Sequence, residues 1–304
     1  MVMMSAEFRK SLQDGLNAHF GMAYDEHPEE WRGCFEVKNS NKRYEEIQQR
    51  VGLGPASVKP EGAGVDFDEG ADGWTARFVN ETIALAFSIT EELVEDELYT
   101  DVGSQYSKAL ARSMRHTKEV KGANIFNYAF DTNFAGGDGK PLLATDHPTY
   151  AGFEWSNKLT TPADLSETSL EQALIQIGQY KDDRGLLINA KAEALAIPVA
   201  LQFVATRIMQ STQRPGVADN DINALKSRGM IPKGDYVNHY FTDDSAWFLK
   251  TDVPDGLIHF KRRAMQKGMQ GDFESGNMRY RVRERYSFGW ADPRGLFGSE
   301  GGGA

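Results

Sequence analysis

Apolar residues alternate with small or polar ones over residues 82–89 of the chain. This two-residue period places the odd-numbered side chains on one side and predicts a half-buried strand. After Thr90 and a block of acids, the apolar spacing changes to three and four residues and continues without proline. The pattern predicts a helix over about residues 99–130, roughly 45 Å long at ~1.5 Å per residue. Because such a helix crosses a whole domain, we expect the rest of the chain to pack on it or extend from it.

The predicted helix sorts its side chains by face. An apolar stripe is expected to face the core, and His116 and the bases are expected on the other faces. Acids precede the bases along the chain, which is the order that the helix dipole favours. The stripe consists of Val102, Tyr106, Leu110, Met114, Thr117 and Val120, and the bases are Lys108, Arg112, Arg115, Lys118 and Lys121.

Residues 44–73 have a different composition, in which glycines and prolines are interleaved with acids. Such a segment cannot bury itself, and a long excursion of this kind inside a compact domain is typical of a functional loop. We therefore expect an extended hairpin that reaches a partner. The segment before Gly33 has too few apolar residues for a core of its own. We expect it to lie as an arm on a surface that an isolated subunit does not provide.

The second half of the chain predicts short helices and strands, and one long strand near its end. In residues 279–288, four arginines share one face, and Tyr280, Val282, Tyr286 and Phe288 share the other face with Glu284. The remaining elements are a helix capped at Ser166 or Thr168, a strand ending at Pro198, a helix over 199–211, and strands at 34–37, 236–240, 246–249 and 257–260.

Composition narrows the functional classes. The formal net charge is −10, which argues against tight general nucleic-acid binding as the main activity. Cys34 is the only cysteine, so no internal disulfide is possible, and we expect a small buried apolar side chain in a reducing compartment. No apolar run is long enough for a membrane span. The N-terminus lacks the features of a signal peptide, so we expect a cytoplasm-like environment.

Four stretches occur in an order that resembles a known family. They are FSITEE at 87–92 leading to EDELY at 95–99, ALARSMRHTKE at 109–119, LAIP at 195–198 before a helix, and GWADPRG at 289–295. The ordered set resembles the tailed-phage major capsid proteins of the Hong Kong 97-type fold, near the Mu-like major head subunits. The resemblance covers about residues 33–299, and none of its motifs is catalytic.

The resemblance implies an α+β fold with the parts of a Hong Kong 97-type subunit. In that family, arms and extended loops lie across neighbouring subunits. The parts expected here are an N-terminal arm (1–43), an extended loop (44–80), a peripheral domain (81–141 and 250–285) with its spine helix at about 99–130, and an axial domain (142–249 and 286–304).

The resemblance also implies a function without enzymatic activity or a cofactor. Copies of a major head protein form hexamers and pentamers that close an icosahedral shell around double-stranded phage DNA. The chain is then a virion protein that assembles in the cytoplasm of a bacterial host, with no membrane contact. Its expected partners are other copies of itself, the packaged DNA, and portal, scaffolding and decoration proteins.

Two charged sets are candidates for contacts in such a shell. The arginines of the last long strand can pair with acids of a neighbouring subunit's extended loop, or they can form a solvated edge-strand face that charges protect from aggregation. The arginines are Arg279, Arg281, Arg283 and Arg285, and the acids are Asp66, Asp68, Glu69 and Asp72. A basic patch of Lys261, Arg262, Arg263 and Lys267 can touch DNA phosphates, or it is a solvated loop.

Other functions remain open at this point. An encapsulin-like compartment has the same fold and holds a protein cargo. A cytoplasmic enzyme using His147 and Asp146 is a third reading, although no second motif accompanies them, and a turn histidine is the simpler interpretation. Residues 66–72 resemble a calcium loop only faintly, because the twelfth-position Glu is missing.

Overall fold

The computed structural model describes residues 5–26, 28–62, 64–90, 92–93, 99–213, 222–272 and 276–302. Its helices are α1 (Ser5–Asp25), α2 (Tyr99–Asn127), α3 (Glu167–Gly178), α4 (Gln202–Gln210) and α5 (Ala224–Arg228), with 3-10 turns at Glu30–Gly33, Val199–Leu201 and Pro293–Gly295. Its strands are β1 (Glu36–Asn39), β2 (Tyr44–Val51), β3 (Ala71–Val79), β4 (Glu81–Ile89), β5 (His147–Pro148), β6 (Glu154–Trp155), β7 (Ala192–Pro198), β8 (Asp235–Asn238), β9 (Trp247–Thr251), β10 (Leu257–Gly271), β11 (Met278–Trp290) and β12 (Leu296–Ser299).

The long helix predicted over about 99–130 is confirmed as α2. The first half of its predicted apolar stripe is wrong, because Gly103 and Ser107 are buried while Tyr106 is 55% exposed. Small residues face inward here because α1 lies close against this part of α2. The Ser107 hydroxyl donates to the Leu16 carbonyl of α1 at 2.8 Å.

Strands β1, β10, β11 and β4 form one sheet in that order. The strand predicted at 82–89 is confirmed as β4, and the one predicted at 279–288 lies within β11. Tyr280 and Val282 of β11 pack with Leu16 and Met114 on the side that carries α1 and α2. Because β11 lies between β10 and β4, the interpretation of its arginine side as an edge-strand face is wrong.

A second sheet has the order β12, β9, β7, β8. Strand β7 runs parallel to β8 and antiparallel to β9. Helices α3 and α4 cover this sheet through an apolar cluster that includes Leu170, Ile197, Ile208 and Trp247. Of the two predicted caps, Ser166 is the one that caps α3, and its partner in the capping box is Ser169.

A third apolar cluster connects the two sheets. It contains Cys34, Phe126, Phe248 and Leu296, so it ties the end of α2 to strands of the second sheet. Cys34 is buried, as predicted, and burial raises the pKa of its thiol to about 12. The thiol therefore stays protonated and unreactive at neutral pH.

The predicted extended loop is a hairpin in the structure. Strands β2 and β3 pair antiparallel, and the segment between them lies outside any strand. Its apolar side chains are not covered by the subunit, since Val58 is 93% exposed and Phe67 is 97% exposed.

The leading segment folds on its own chain. Leu16, Phe20 and Ala23 of α1 are buried against α2 and β11, and the Tyr280 hydroxyl donates to the Asn17 side chain at 2.9 Å. The expectation that this segment rests on a surface outside the subunit is therefore wrong for α1. The physical reason is its one-sided apolar spacing, which matches the groove between α2 and the sheet. Within the described residues, no helix has both the length and the apolar composition that a membrane crossing requires.

Candidate functional site

The candidate contact surface is the exposed side of the first sheet. We call it the arginine face and define it by Arg263 of β10 and Arg279, Arg281, Arg283 and Arg285 of β11. The burial of β11 alternates, with the arginines outside and Tyr280, Val282, Glu284 and Tyr286 inside. The two-residue period thus predicted the four β11 arginines of this face correctly.

Small neighbours leave Arg281 exposed. Arg281 lies between Gly268 of β10 and Ala86 of β4 in the strand register. A depression of about 330 Å³ lies beside Arg279 and Arg281. Arg279 and Arg281 therefore project from the sheet with space around them for groups from another molecule, whereas Arg283 and Arg285 are half-buried.

The arginine face carries surplus positive charge. Arg279 Nη2 pairs with Asp272 Oδ2 at 2.7 Å, and Arg283 Nε donates to the Gln266 side chain at 3.2 Å. Within the described part of the chain, Arg281 and Arg285 have no acidic partner. Such a surface can bind carboxylates or phosphates.

The basic patch predicted at 261–267 does not form one surface. It is part of strand β10 and not a loop, and irregular pairing on both sides of Arg263 distorts the strand there. Arg263 joins the arginine face opposite Arg285. Lys267 lies on the other side, where its Nζ donates to the Asn17 carbonyl at 3.0 Å and covers the Phe20 ring. The β-bulges explain the split, because each shift of register redirects the side chains that follow.

The acids predicted as partners of the arginines lie in the hairpin, away from its paired strands except for Asp72. Asp66 accepts from the Ser57 hydroxyl, and Asp68 accepts from the Gly54 amide at 2.6 Å. That amide holds the pKa of Asp68 below its usual value. Asp68 also lies 3.7 Å from Arg184 of the same chain. The subunit therefore engages part of this acidic set itself, while Glu69 and Asp72 keep exposed side chains.

The sequence analysis did not predict that charged side chains of α2 are buried. Lys118 was expected outside, yet its side chain is only 11% exposed and its Nζ lies 3.3 Å from Glu284 Oε2. Glu119 is also buried and accepts from the backbone amides of Glu30 and Trp31 at 3.1 and 3.0 Å. A carboxylate that caps a turn in this way fixes the chain between α1 and β1 to α2. One signal in the sequence could have indicated a buried cation: the alternation of β11 places Glu284 on its inner face among aromatic residues.

The enzyme hypothesis fails on the geometry of its residues. His147 is fully buried, with Nδ1 2.6 Å from Asp138 and Nε2 3.1 Å from Asn157. Asp146 instead pairs with Lys140. Both ring nitrogens are thus engaged and no substrate reaches them, so His147 is a buried structural residue and not the turn histidine of the simpler interpretation. His116, by contrast, is exposed as predicted.

The described residues contain no group of three or more His, Cys, Asp or Glu side chains placed to hold a metal ion. In the hairpin, Asp66 and Asp68 make the hydrogen bonds given above, to Ser57 and Gly54. The faint likeness of residues 66–72 to a calcium loop therefore has no matching ligand geometry.

Comparison with protein families gives one match. A family model described as phage capsid protein matches residues 76–298, which is well over half of the chain. No curated protein sequence matches the chain significantly.

Solved structures with the same architecture come from viral and virus-like shells. The virus-like particle of Pyrococcus furiosus has a TM-score of 0.52 at 10% identity, over 94% of this chain and 98% of that chain. The procapsid of bacteriophage JBD30 has a TM-score of 0.50 at 15% identity, over 97% and 76%. A chain of Mycobacterium phage Bobi has a TM-score of 0.52 at 12% identity, over 91% and 92%. At these identities the likeness establishes the fold.

Proposed function

We infer that this chain, which belongs to the phage capsid protein family, is the major subunit of a tailed-phage head. The match over residues 76–298 carries the inference, because it runs from the second hairpin strand through α2 and both sheets. The Hong Kong 97-type fold implied by the resemblance is confirmed. The chain is accordingly a structural protein of the virion. Its division into peripheral and axial domains stays a prediction.

The mechanism we propose is geometric. The body of two sheets tied together by α2 holds fixed angles, and the hairpin adds contact area beyond the body. Permanent interfaces of this sort bury more than ~2,000 Å². Copies arranged in rings of six and five then close an icosahedral shell. A head-to-tail contact forms such a ring only when the rotation between neighbouring copies brings the last copy back to the first.

We propose that the arginine face receives the acidic hairpin of a neighbouring copy. Two features support this pairing: Arg281 and Arg285 lack acidic partners within the described residues, and Glu69 and Asp72 are exposed on a projecting hairpin. Exposed ion pairs contribute only ~0–1 kcal/mol each. Their main effect is therefore to select the register of the hairpin on its neighbour and to accelerate docking.

Contact with packaged double-stranded DNA is a second part of the proposal. Of the predicted DNA-facing residues, Lys267 is excluded because it is bonded to α1, and Arg263 belongs to the arginine face. Lys261 and Arg262 remain, and they can touch phosphates without reading bases. The net charge of −10 fits a lining that binds DNA loosely.

The proposal extends to assembly in a bacterial host cytoplasm with portal, scaffolding and decoration proteins as partners. An encapsulin-like compartment is not favoured, because the family match is to phage capsid proteins. The test is negative-stain microscopy of the expressed chain, followed by analysis of the shell contents. Closed shells support the function, and nuclease-protected DNA in shells from infected cells supports the phage assignment. A uniform protein cargo in place of DNA, or small oligomers at every concentration tested, would contradict it.

A further inference from the structure

The turn at residues 182–185 contacts the hairpin formed by β2 and β3 at the end of the paired strands, next to the loop that joins them. We propose that this turn is a latch that fixes the angle of the hairpin on the subunit, and that this angle selects the curvature of the shell. The claim about curvature rests on the proposed function, whereas the claim about the latch concerns the single subunit.

Arg184 binds both chain segments where the strands end and the loop begins. Its Nε donates to the Gly52 carbonyl at 3.1 Å and its Nη2 donates to the Glu69 carbonyl at 2.6 Å. Gly52 follows the last residue of β2 and Glu69 lies just before β3, so one planar guanidinium spans both strands. The Tyr150 ring lies 5.0 Å beneath it. A lysine cannot reproduce this fork, because it offers a single nitrogen.

Asp183 connects the same turn to the interior. Its Oδ2 accepts from Gln49 Nε2 of β2 at 2.6 Å, and its Oδ1 accepts from Arg294 Nη2 at 3.1 Å. Arg294 is buried, and it also donates to the Lys181 carbonyl and pairs with Asp292. The GWADPRG stretch thus supplies the anchor of the latch. Because these groups are buried and charged, the anchor is rigid.

The hairpin contacts the body at a second point. Ala76 and Phe78 of β3 pack against Ile258 and Phe260 of the first sheet. Ala76 at this root is seven residues from Glu69 at the latch, roughly 24 Å of extended chain at ~3.4 Å per residue. Between the root and the latch, Gly137 packs on Thr75 and on the Trp74 ring of β3. The latch is the contact nearest the projecting loop, so we expect it to have the largest effect on the direction in which the loop points.

The angle matters because the far end of the hairpin is the part that reaches a neighbour. The exposed segment with Val58 and Phe67 lies beyond the latch. A swing at the root displaces this segment relative to the arginine face of the next copy. In a repeated head-to-tail contact, each such displacement changes the rotation between copies and hence the size of the closed shell.

Three substitutions test the latch. Arg184→Ala removes the fork, Arg184→Lys keeps the charge without the fork, and Gln49→Ala cuts the link from the hairpin side. Arg228→Ala is the control, because Arg228 is exposed and far along the chain from the hairpin. Circular dichroism and thermal melting establish that each variant is folded. If Arg184→Ala does not fold, Arg184→Lys and Gln49→Ala carry the test.

The first readout is amide hydrogen exchange on dilute, unassembled subunits. We expect exchange in β2 and β3 to accelerate about tenfold or more in the latch variants and to stay at the wild-type rate in the control. The second readout is the diameter of assembled shells by electron microscopy. We expect mixed diameters and open sheets from the latch variants, and the wild-type diameter from the control.

The outcomes separate the two claims. Unchanged exchange in all latch variants would overturn the latch. Faster exchange with shells of wild-type diameter would overturn its role in curvature. If the wild-type chain itself forms no shells, the proposed function fails, and the exchange experiment still decides whether the latch exists.

Discussion

Beneath α2, the side chain of Lys118 carries its charge into a nearly closed space. Its Nζ lies 3.3 Å from Glu284 Oε2 and 5.3 and 5.2 Å from the centroids of the Trp31 and Tyr286 rings. Burial raises the pKa of Glu284, and the charge of Lys118 opposes that effect. Each member of the pair therefore makes the burial of the other tolerable.

Removing one member of this pair is predicted to destabilise the subunit strongly. Lys118→Ala leaves the Glu284 carboxylate buried without its partner, which costs about 3–5 kcal/mol of unfolding free energy. The double variant Lys118→Met with Glu284→Leu is expected to lose much less, since no charge stays behind. Urea denaturation of the unassembled subunit measures both. Lys108→Ala, on an exposed position of α2, is the control, and an equal cost for Lys108→Ala and Lys118→Ala would contradict the buried pair.

Glu119 predicts a pH dependence of stability. Burial, with the nearby Glu30 carboxylate, raises the pKa of Glu119 from 4.5 to about 7, although the Trp31 amide and Arg115 act against it. The folded state then binds a proton that the unfolded state releases, so stability falls as pH rises from about 4.5 to about 7 and is level above that. Between pH 4.5 and pH 7, the free energy of unfolding of the wild type should fall by at most about 3 kcal/mol relative to that of Glu119→Gln. Denaturation at pH 5, 6, 7 and 8 measures the unfolding free energies of both proteins. If the wild type instead becomes more stable than Glu119→Gln as the pH rises, the raised pKa of Glu119 is contradicted.

Elements with a regular apolar spacing were predictable from the sequence, whereas irregular strands and the packing faces of the elements were not. Strands β4 and β11 alternate cleanly, and α2 has no helix breaker, so local pattern alone identified them. The outer part of β10 was missed, because polar residues and bulges destroy the two-residue period there. The buried face of α2 was misassigned because Gly103 and Ser107 are small and Lys118 is charged, so none of them marks a core by type.

The candidate surface was predictable only in part for the same reason. The period of β11 identified its four arginines, but the position of Arg263 beside Arg285 depends on strand register. The latch was missed because Arg184 and the carbonyl of Glu69 are separated by 115 residues along the chain. Contacts at that separation are set by tertiary packing, and residue spacing carries no signal for them.

Helix α1 predicts a stability effect at the scale of the element. Phe20 is buried between α2 and the first sheet of its own chain, with the Lys267 ammonium over its ring. Phe20→Ala should therefore cost about 3–5 kcal/mol in the unassembled subunit. Met22, which is 62% exposed on the same helix, is the control, and Met22→Ala should change stability by less than about 0.5 kcal/mol. Urea denaturation compares them, and equal effects would show that α1 packs elsewhere in solution.

Charge is unevenly distributed over the whole molecule. The chain carries a net charge of −10, yet one side of its first sheet is a row of arginines and its projecting hairpin is acidic. In an isolated subunit this separation of charge leaves the stability unchanged or lowers it slightly, because like charges lie side by side. It becomes favourable when a second copy brings its hairpin onto the arginine face. The distribution is thus a property that assembly explains better than the stability of a single subunit.

Assembly should therefore depend on salt through the arginine face. Arg281→Ser with Arg283→Ser removes two cations near the centre of the face, which weakens each subunit contact by about 1 kcal/mol and raises the concentration needed for assembly roughly threefold to tenfold at low salt. At about 1 M salt, where charges are screened beyond ~3 Å, variant and wild type should assemble at the same concentration.

Lys108→Gln with Lys191→Gln removes the same charge from exposed positions off this face and should leave assembly unchanged. Sedimentation across a salt series measures all three proteins. Wild-type assembly by the folded arginine variant at every salt concentration would mean that the hairpin docks elsewhere.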